Sequence, residues 1–300
     1  MDTNAKQLGC VVTTFPRNFA RCSVWLHFVC FAGSPALMAA PADWAPVLNT
    51  TAAWNSNAPN ADRPVDVIGA LQIHAELTAS RRLSLGRDDA LFLGGQLGAE
   101  SWPRFDGLDR AALGPRFAWQ HKFGLGALAP VFRVDVGADG VAARESDRAG
   151  FAASALLSWR QRFEDNTRVA LTYEFARHDA RATVFDRTGG EAALEVARTL
   201  DERWELVVTA RWREGDVLSY ATPPRPDLVE LARVRATVNT FGQPRVAYSL
   251  DARTLGGSLA LSRSLNEMTS LTFAYDYRRT TRSELGYVNH LVSVVLTRQF

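Results

Sequence analysis

The feature that most constrains the fold is a short pattern that closes the chain and occurs five more times before it. In the last copy, LTRQF, apolar and polar residues alternate up to Phe300. The six copies end at residues 83, 123, 163, 200, 265 and 300, and the internal copies lead into polar turns. Four of the five intervals are 35 to 40 residues long, and the fifth is 65. One short interval has room for two strands, a turn and a loop.

The residues between these anchors alternate with a period of two, which is typical of strands with one apolar face. In residues 269–278, for example, Leu271, Phe273 and Tyr275 alternate with polar or small residues. The alternation lasts about ten residues, close to the ~9–11 that a β-strand needs to cross a membrane. Aromatic residues cluster at the strand ends, and short turns such as EDN alternate with longer loops. All of this is typical of a membrane barrel.

We therefore predict an all-β fold, a transmembrane antiparallel up-and-down β-barrel of about 12 strands in residues 43–300. An even number of strands puts both chain ends on the periplasmic side. The interval of 65 residues predicts a long extracellular loop at about 215–248. This loop could contain a short helix or two further strands, so 14 strands is the alternative. It could be a surface-binding or plug element, or an insertion without a role of its own.

Residues 1–42 resemble a cleaved secretory signal peptide. Arg17 and Arg21 precede 17 residues without a charged side chain, and Ala40-Pro41-Ala42 fits a cleavage site. All three cysteines lie in this segment. The mature chain is then expected to have no disulfide and no cysteine-based chemistry. Cleavage also removes three of the 34 basic and one of the 32 acidic residues, which leaves 31 of each. Such a balance gives no reason to expect a nucleic-acid partner.

The final strand is similar to the C-terminal signature of Gram-negative outer-membrane β-barrel proteins. The apolar positions of that signature are matched by Val292, Val294, Leu296 and Phe300. Arg298 departs from it, and we interpret Arg298 as reaching towards the membrane interface. The resemblance implies the cell outer membrane, with lipid and lipopolysaccharide around the barrel and the barrel-assembly machinery as partner during insertion. It covers the architecture of residues 43–300 and indicates no functional family.

If the apolar faces point outward, many charged residues point into the barrel. Both signs are interspersed, so these residues could either pair and block the lumen or line a channel. The candidate lumen-lining residues are His74, Glu76, Glu100, Arg116, Arg133, Asp135, Arg160, Arg162, Glu174, Glu205, Arg211, Arg213, Asp276 and Arg278.

The sequence favours a passive pore for small polar solutes. The alternative is a structural or surface-interaction barrel with an occluded lumen, acting in assembly, secretion or adhesion. A lipid-acting outer-membrane enzyme is a third possibility, but His290 and Ser293 fall on opposite faces of one strand. We predict no catalytic residue, metal site or cofactor, although His74 and Glu76 share a face. The solute and the oligomeric state are left open.

Overall fold

The computed structural model describes residues 44–164 and 166–300, so the predicted signal peptide lies outside the described residues. In this part of the chain thirteen strands form one antiparallel sheet. They are β1 (Trp44–Asn55), β2 (Ala70–Ser84), β3 (Asp89–Ser101), β4 (Arg110–Lys122), β5 (Val131–Ala143), β6 (Gly150–Phe163), β7 (Thr167–Ala180), β8 (Arg187–Thr199), β9 (Trp204–Ala221), β10 (Val234–Val238), β11 (Arg245–Asn266), β12 (Thr269–Arg282) and β13 (Leu285–Gln299).

The sheet closes on itself because the last strand pairs with the first. Strands β13 and β1 pair from Val47 and Gln299 to Asn55 and Leu291. The backbone N–H of Phe300 continues this ladder by donating to the carbonyl oxygen of Pro46 at 3.1 Å. Strand β10 lies outside the ring, since β9 pairs directly with β11. The prediction of a twelve-stranded antiparallel barrel is confirmed, and the alternative of fourteen strands is wrong.

The two ends of the barrel differ in their connections. Most of those at one end, which we call the turn end, are short, and β11 and β12 are joined by only residues 267–268. The other end, which we call the loop end, carries longer connections, of which 222–244 is the longest, apart from residues 283–284 between β12 and β13. Four of them contain a single 3₁₀ turn, namely Pro64–Asp66, Asp106–Leu108, Ser146–Arg148 and Thr183–Phe185.

The outer wall of the barrel is apolar and exposed. Leu113 is 65% exposed and Leu171 is 56% exposed, although both lie in the middle of long strands. A soluble protein rarely exposes a continuous apolar surface of this kind, whereas a membrane barrel needs one against lipid. The C-terminal signature belongs to this wall, where Val292 and Phe300 are 56% and 58% exposed. The ring of Phe300 lies under the guanidinium of Arg298, 5.0 Å away.

Strand β5 is displaced from its predicted position. The sequence predicts it at 128–138, but it begins and ends later, and it runs through the small residues of VGADGVAA. Gly137 does not end the strand, because it makes room for a neighbour. A Cβ on Gly137 would lie 2.6 Å from Nη1 of Arg116 on β4. Glycine in a strand marks close approach here rather than a boundary.

The predicted loop at 215–248 is also shorter than expected. Strand β9 continues to Ala221 and β11 begins at Arg245, so the connection spans 222–244. It contains the helix α1 (Pro226–Leu231) and the strand β10. The structure thus has the short helix that the sequence allows, together with one further strand rather than two. No helix in residues 44–164 and 166–300 is long and apolar enough to span a membrane.

Strands β4 and β5 approach each other closely at Gly114. Gly114 and the following Pro115 have no register partner in β5, and proline has no N–H to donate to a ladder. A Cβ on Gly114 would collide with the carbonyl oxygen of Ala138. A Cβ on Gly98 of β3, in contrast, would lie 3.8 Å from its nearest neighbour, which is ordinary contact.

We therefore expect Gly114→Ala to destabilise the barrel by about 1–3 kcal/mol, the usual cost of overpacking. Gly98→Ala is the matched control and should be neutral or slightly stabilising, because alanine loses less backbone entropy than glycine. Urea unfolding of the detergent-folded barrel, followed by heat-modifiable migration on cold SDS gels, measures both changes. Equal unfolding midpoints for the two variants would contradict this interpretation of Gly114.

Candidate functional site: the lumen and its plug

The structure places the predicted lumen-lining residues on one face of the sheet. They alternate along their strands with the exposed apolar residues of the outer wall, as Arg211 and Arg213 alternate with Trp212. The register between neighbouring strands keeps them on that face, since His74 lies opposite Glu100. By the same alternation Lys122 and Glu195 point inward.

One hydrogen-bonded network crosses four neighbouring strands of the inner wall. Gln96 donates from Nε2 to Oε2 of Glu76 at 2.6 Å, and its Oε1 accepts from Nε of Arg116 at 2.8 Å. Nη2 of Arg116 donates in turn to Oδ2 of Asp139 at 2.7 Å. Sequence reasoning missed Asp139 because it lies beyond the predicted end of β5. The sequence does indicate its direction, because Asp139 lies an even number of positions after Arg133 and Asp135 and therefore points to the same side of the strand.

A second network lies on the opposite wall. Asp276 accepts from Nη1 of Arg211 at 2.5 Å and from Nε of Arg278 at 2.8 Å. Towards the turn end, Nη2 of Arg168 lies 3.3 Å from Glu195 and 3.2 Å from Glu205. The side chains of this last group remain 31% to 36% exposed. The inner wall therefore combines paired charges with access to water.

Two histidines considered from the sequence lie in separate surroundings. Nε2 of His74 is 3.7 Å from Oε2 of Glu76, but that oxygen already accepts from Gln96. His290 points outward, where its Nδ1 is hydrogen-bonded to Oη of Tyr275 at 2.8 Å. In residues 44–164 and 166–300 no three His, Cys, Asp or Glu side chains are grouped so that they could hold a metal ion.

The loop end is closed by a segment that we call the plug, residues 216–252. It begins where β9 bends at Gly215, which has a φ of +134°. A side chain is strained at this backbone conformation, and a Cβ here would also collide with the backbone of Thr188. Beyond the bend the ends of β9 and β11 still pair, from Asp216 and Asp251 to Ala221 and Val246. This paired extension leaves the wall and crosses the mouth.

Both faces of the plug are buried. On one face Leu218 and Tyr220 pack in a cluster with Trp102, Leu108 and Phe185, which come from connections across the barrel. The other face packs around α1 and the hairpin of β12 and β13, and its cluster contains Val217, Ala221, Leu228, Tyr248, Leu250 and Ala252. An apolar layer therefore spans the loop end.

Two ion-pair groups attach the plug to the connection between β1 and β2. The guanidinium of Arg225, whose side chain is fully buried, donates to both carboxylate oxygens of Asp62 at 2.8 Å and to Asp227. Hydrogen bonds from Arg225 hold the pKa of Asp227 at about 2, so Asp227 stays charged at any physiological pH. Nη1 of Arg245 donates to the carbonyl oxygen of Asp66 at 3.0 Å, and the Asp66 carboxylate accepts from Thr222.

A cavity of about 270 Å³ lies between the plug and the inner wall. Its lining combines polar groups of the wall with Asp216 and Tyr220 of the plug. Three of the predicted lumen residues, Glu100, Arg213 and Arg278, reach it. Sequence reasoning missed its other arginines. Arg148 and Arg187 fall just before the predicted starts of β6 at 149 and β8 at 190, and Arg110 is the first residue of the predicted β4.

The network on β2 to β5 predicts the effect of removing one partner. Arg116→Gln should destabilise the barrel by about 1–3 kcal/mol, because it leaves Asp139 without its ion pair and Oδ1 of Asp139 already has no hydrogen-bond partner. Arg160→Gln is the matched control, an inward arginine for which the described residues provide no ion pair. Urea midpoints that fall equally in both variants would contradict the structural role of the network.

The fold is similar to that of a solved outer-membrane channel. No protein-family model matches the chain, and no curated protein matches it. Among solved structures, the COG4313 outer membrane channel from Pseudomonas putida F1 is similar with a TM-score of 0.56 and 9% identity, over 86% of this chain and 95% of that one. The NanC porin has a TM-score of 0.49 and 6% identity, over 84% of this chain and 100% of the porin. The β domain of the Bordetella autotransporter Brka has a TM-score of 0.45 and 13% identity, over 86% of this chain and 100% of that domain. The chain thus has the fold of an outer-membrane β-barrel, and its apolar wall suits that location.

Proposed function

We propose that this barrel is a passive channel for small polar solutes, and that the plug gates its loop end. The inner wall supports this proposal, because its charged side chains remain accessible to water. The cavity below the plug belongs to the same polar lumen. A twelve-stranded ring is wider than the eight-stranded barrels whose interiors are filled by side chains alone.

The observation that carries the proposal is that the barrel closes without the plug. Below Gly215, β9 and β11 pair with each other from Trp204 and Arg263 up to Glu214 and Arg253. The ring of twelve strands therefore keeps its ladder if the plug moves. One chain segment blocks the mouth, and both ends of that segment leave the wall at neighbouring positions.

One observation favours the rival, an occluded barrel with a structural or surface role. The plug buries both of its faces and includes the fully buried guanidinium of Arg225. Removing one partner of a buried ion pair costs about 3–5 kcal/mol, because the other charge is left without compensation. A plug held this firmly could close the lumen permanently. Neither reading gives the barrel an enzymatic role.

Replacing residues 217–250 by Asn-Gly tests the proposal. Asp216 and Asp251 are register partners, so a two-residue turn can join β9 and β11 at this point. We expect the variant to fold and to show a larger and permanently open conductance in planar bilayers. The wild-type protein should show brief openings between long closures.

A second variant controls for damage to the barrel. Replacing the connection residues 283–284 by Asn-Gly leaves the plug in place and should preserve the wild-type openings. Heat-modifiable migration on cold SDS gels confirms that each variant is folded. If folded wild-type protein never opens while the variant without the plug conducts, the gated channel is wrong and the occluded barrel is right.

A further inference from the structure

The cavity below the plug is rich in arginine. Five guanidiniums line it, and only two carboxylates do. The arginines are Arg110, Arg148, Arg187, Arg213 and Arg278, and the acids are Glu100 and Asp216. Polar groups without charge complete the lining, among them Gln72, Asn289 and Tyr287.

Two of the five arginines are neutralised by a neighbouring carboxylate. Nη2 of Arg110 lies 2.6 Å from Oε2 of Glu100. Nε of Arg278 lies 2.8 Å from Oδ1 of Asp276 in the network of the inner wall. Both pairs fix the side chains and reduce the positive charge of the cavity, although Asp276 also pairs with Arg211.

The other three have no carboxylate within ion-pair distance in the described residues. Arg148 donates from Nη1 to Oη of Tyr220 at 2.6 Å and lies over the ring of Phe185. Arg213 donates to the backbone carbonyl of Asp216 at 3.3 Å. Among the described residues Arg187 has neither an ion pair nor a side-chain hydrogen bond, and the positive charges of Arg110, Arg148 and Arg213 all act on it.

Both carboxylates that line the cavity already have ion-pair and hydrogen-bond partners. Glu100 accepts from Nε1 of Trp102 at 2.7 Å in addition to its pair with Arg110. Asp216 pairs with Arg233 at 2.7 Å and accepts from the backbone N–H of Thr188 at 2.9 Å. Neither carboxylate compensates the three guanidiniums that lack an ion pair, so the cavity has an excess of positive charge.

We propose that this cavity is a binding site for a small solute bearing carboxylate or phosphate groups, with Arg148, Arg187 and Arg213 as its anion contacts. Guanidinium groups bind both kinds of oxyanion through paired hydrogen bonds. The cavity volume of about 270 Å³ equals that of roughly nine water molecules at ~30 Å³ each, which suits a solute of metabolite size. The inference rests on the proposed channel, for which it names the solute class.

Binding to the detergent-folded protein tests the site. Titration calorimetry with citrate and with inorganic phosphate, at constant chloride, separates the carboxylate and phosphate sources, and glucose serves as the neutral probe. We expect saturable binding of at least one anion and none of glucose. Arg187→Gln should weaken that binding by at least about tenfold, the loss of one charge-assisted contact.

Arg279→Gln is the matched control, because it removes the same charge from the outer wall of β12. It should leave the affinity unchanged. If Arg187→Gln does not fold, Arg187→Lys replaces it, and this variant should weaken binding while keeping the charge. The absence of saturable anion binding, or equal losses in the two glutamine variants, would overturn the site.

The test also separates this inference from the channel proposal. Binding is measured without any conduction, and bilayer openings are measured without any ligand. Openings without anion binding overturn the site and leave the channel standing. Anion binding without openings supports the site and overturns the proposal that the barrel is a channel.

Discussion

The whole structure depends on one constraint, that no backbone hydrogen-bonding group can be left unpaired in the hydrocarbon of a membrane. Strands meet this constraint only when the sheet has no edge. The pairing of β13 with β1 removes the last edge, and it continues to the final residue through the N–H of Phe300. Strand β13 therefore completes the ring by pairing with β1.

Because the sheet is closed, one of its faces lies against lipid and the other faces the lumen. A period of two puts alternate side chains into lipid and into the lumen, so the charges of the long strands collect inside. They form ion pairs such as that of Arg211 with Asp276, whereas Arg187 has no carboxylate within ion-pair distance among the residues that the structure describes. The plug is compatible with the same constraint, because it lies above the closed ladder and buries both of its faces.

The wall of the barrel could be predicted from the sequence, because alternation, strand length and the recurring anchor depend on the position of each residue along one strand. The strand boundaries near glycine residues could not be predicted from the sequence. Gly137 looks like the end of a strand but makes room for Arg116, and this close approach depends on a neighbouring strand. The sequence allowed a plug in the long loop but could not choose it over an insertion without a role, because the contact of Arg225 with Asp62 joins residues 163 positions apart. Arg187 was missed because it lies three residues before the predicted start of β8 at 190.

The central claim is that the plug moves, and a removable cross-link tests it most directly. A Cβ on Gly107 would lie 3.2 Å from the Cα of Thr240 in the plug, so the two residues are in direct contact, and cysteines at both positions can be cross-linked after a shift of a few tenths of an ångström. The chain from residue 43 onward has no cysteine, so Gly107→Cys with Thr240→Cys gives a single pair. In planar bilayers the oxidised double variant should stay closed and dithiothreitol should restore openings, while each single variant opens in both states. Openings of undiminished size and frequency through the oxidised protein would contradict a moving plug.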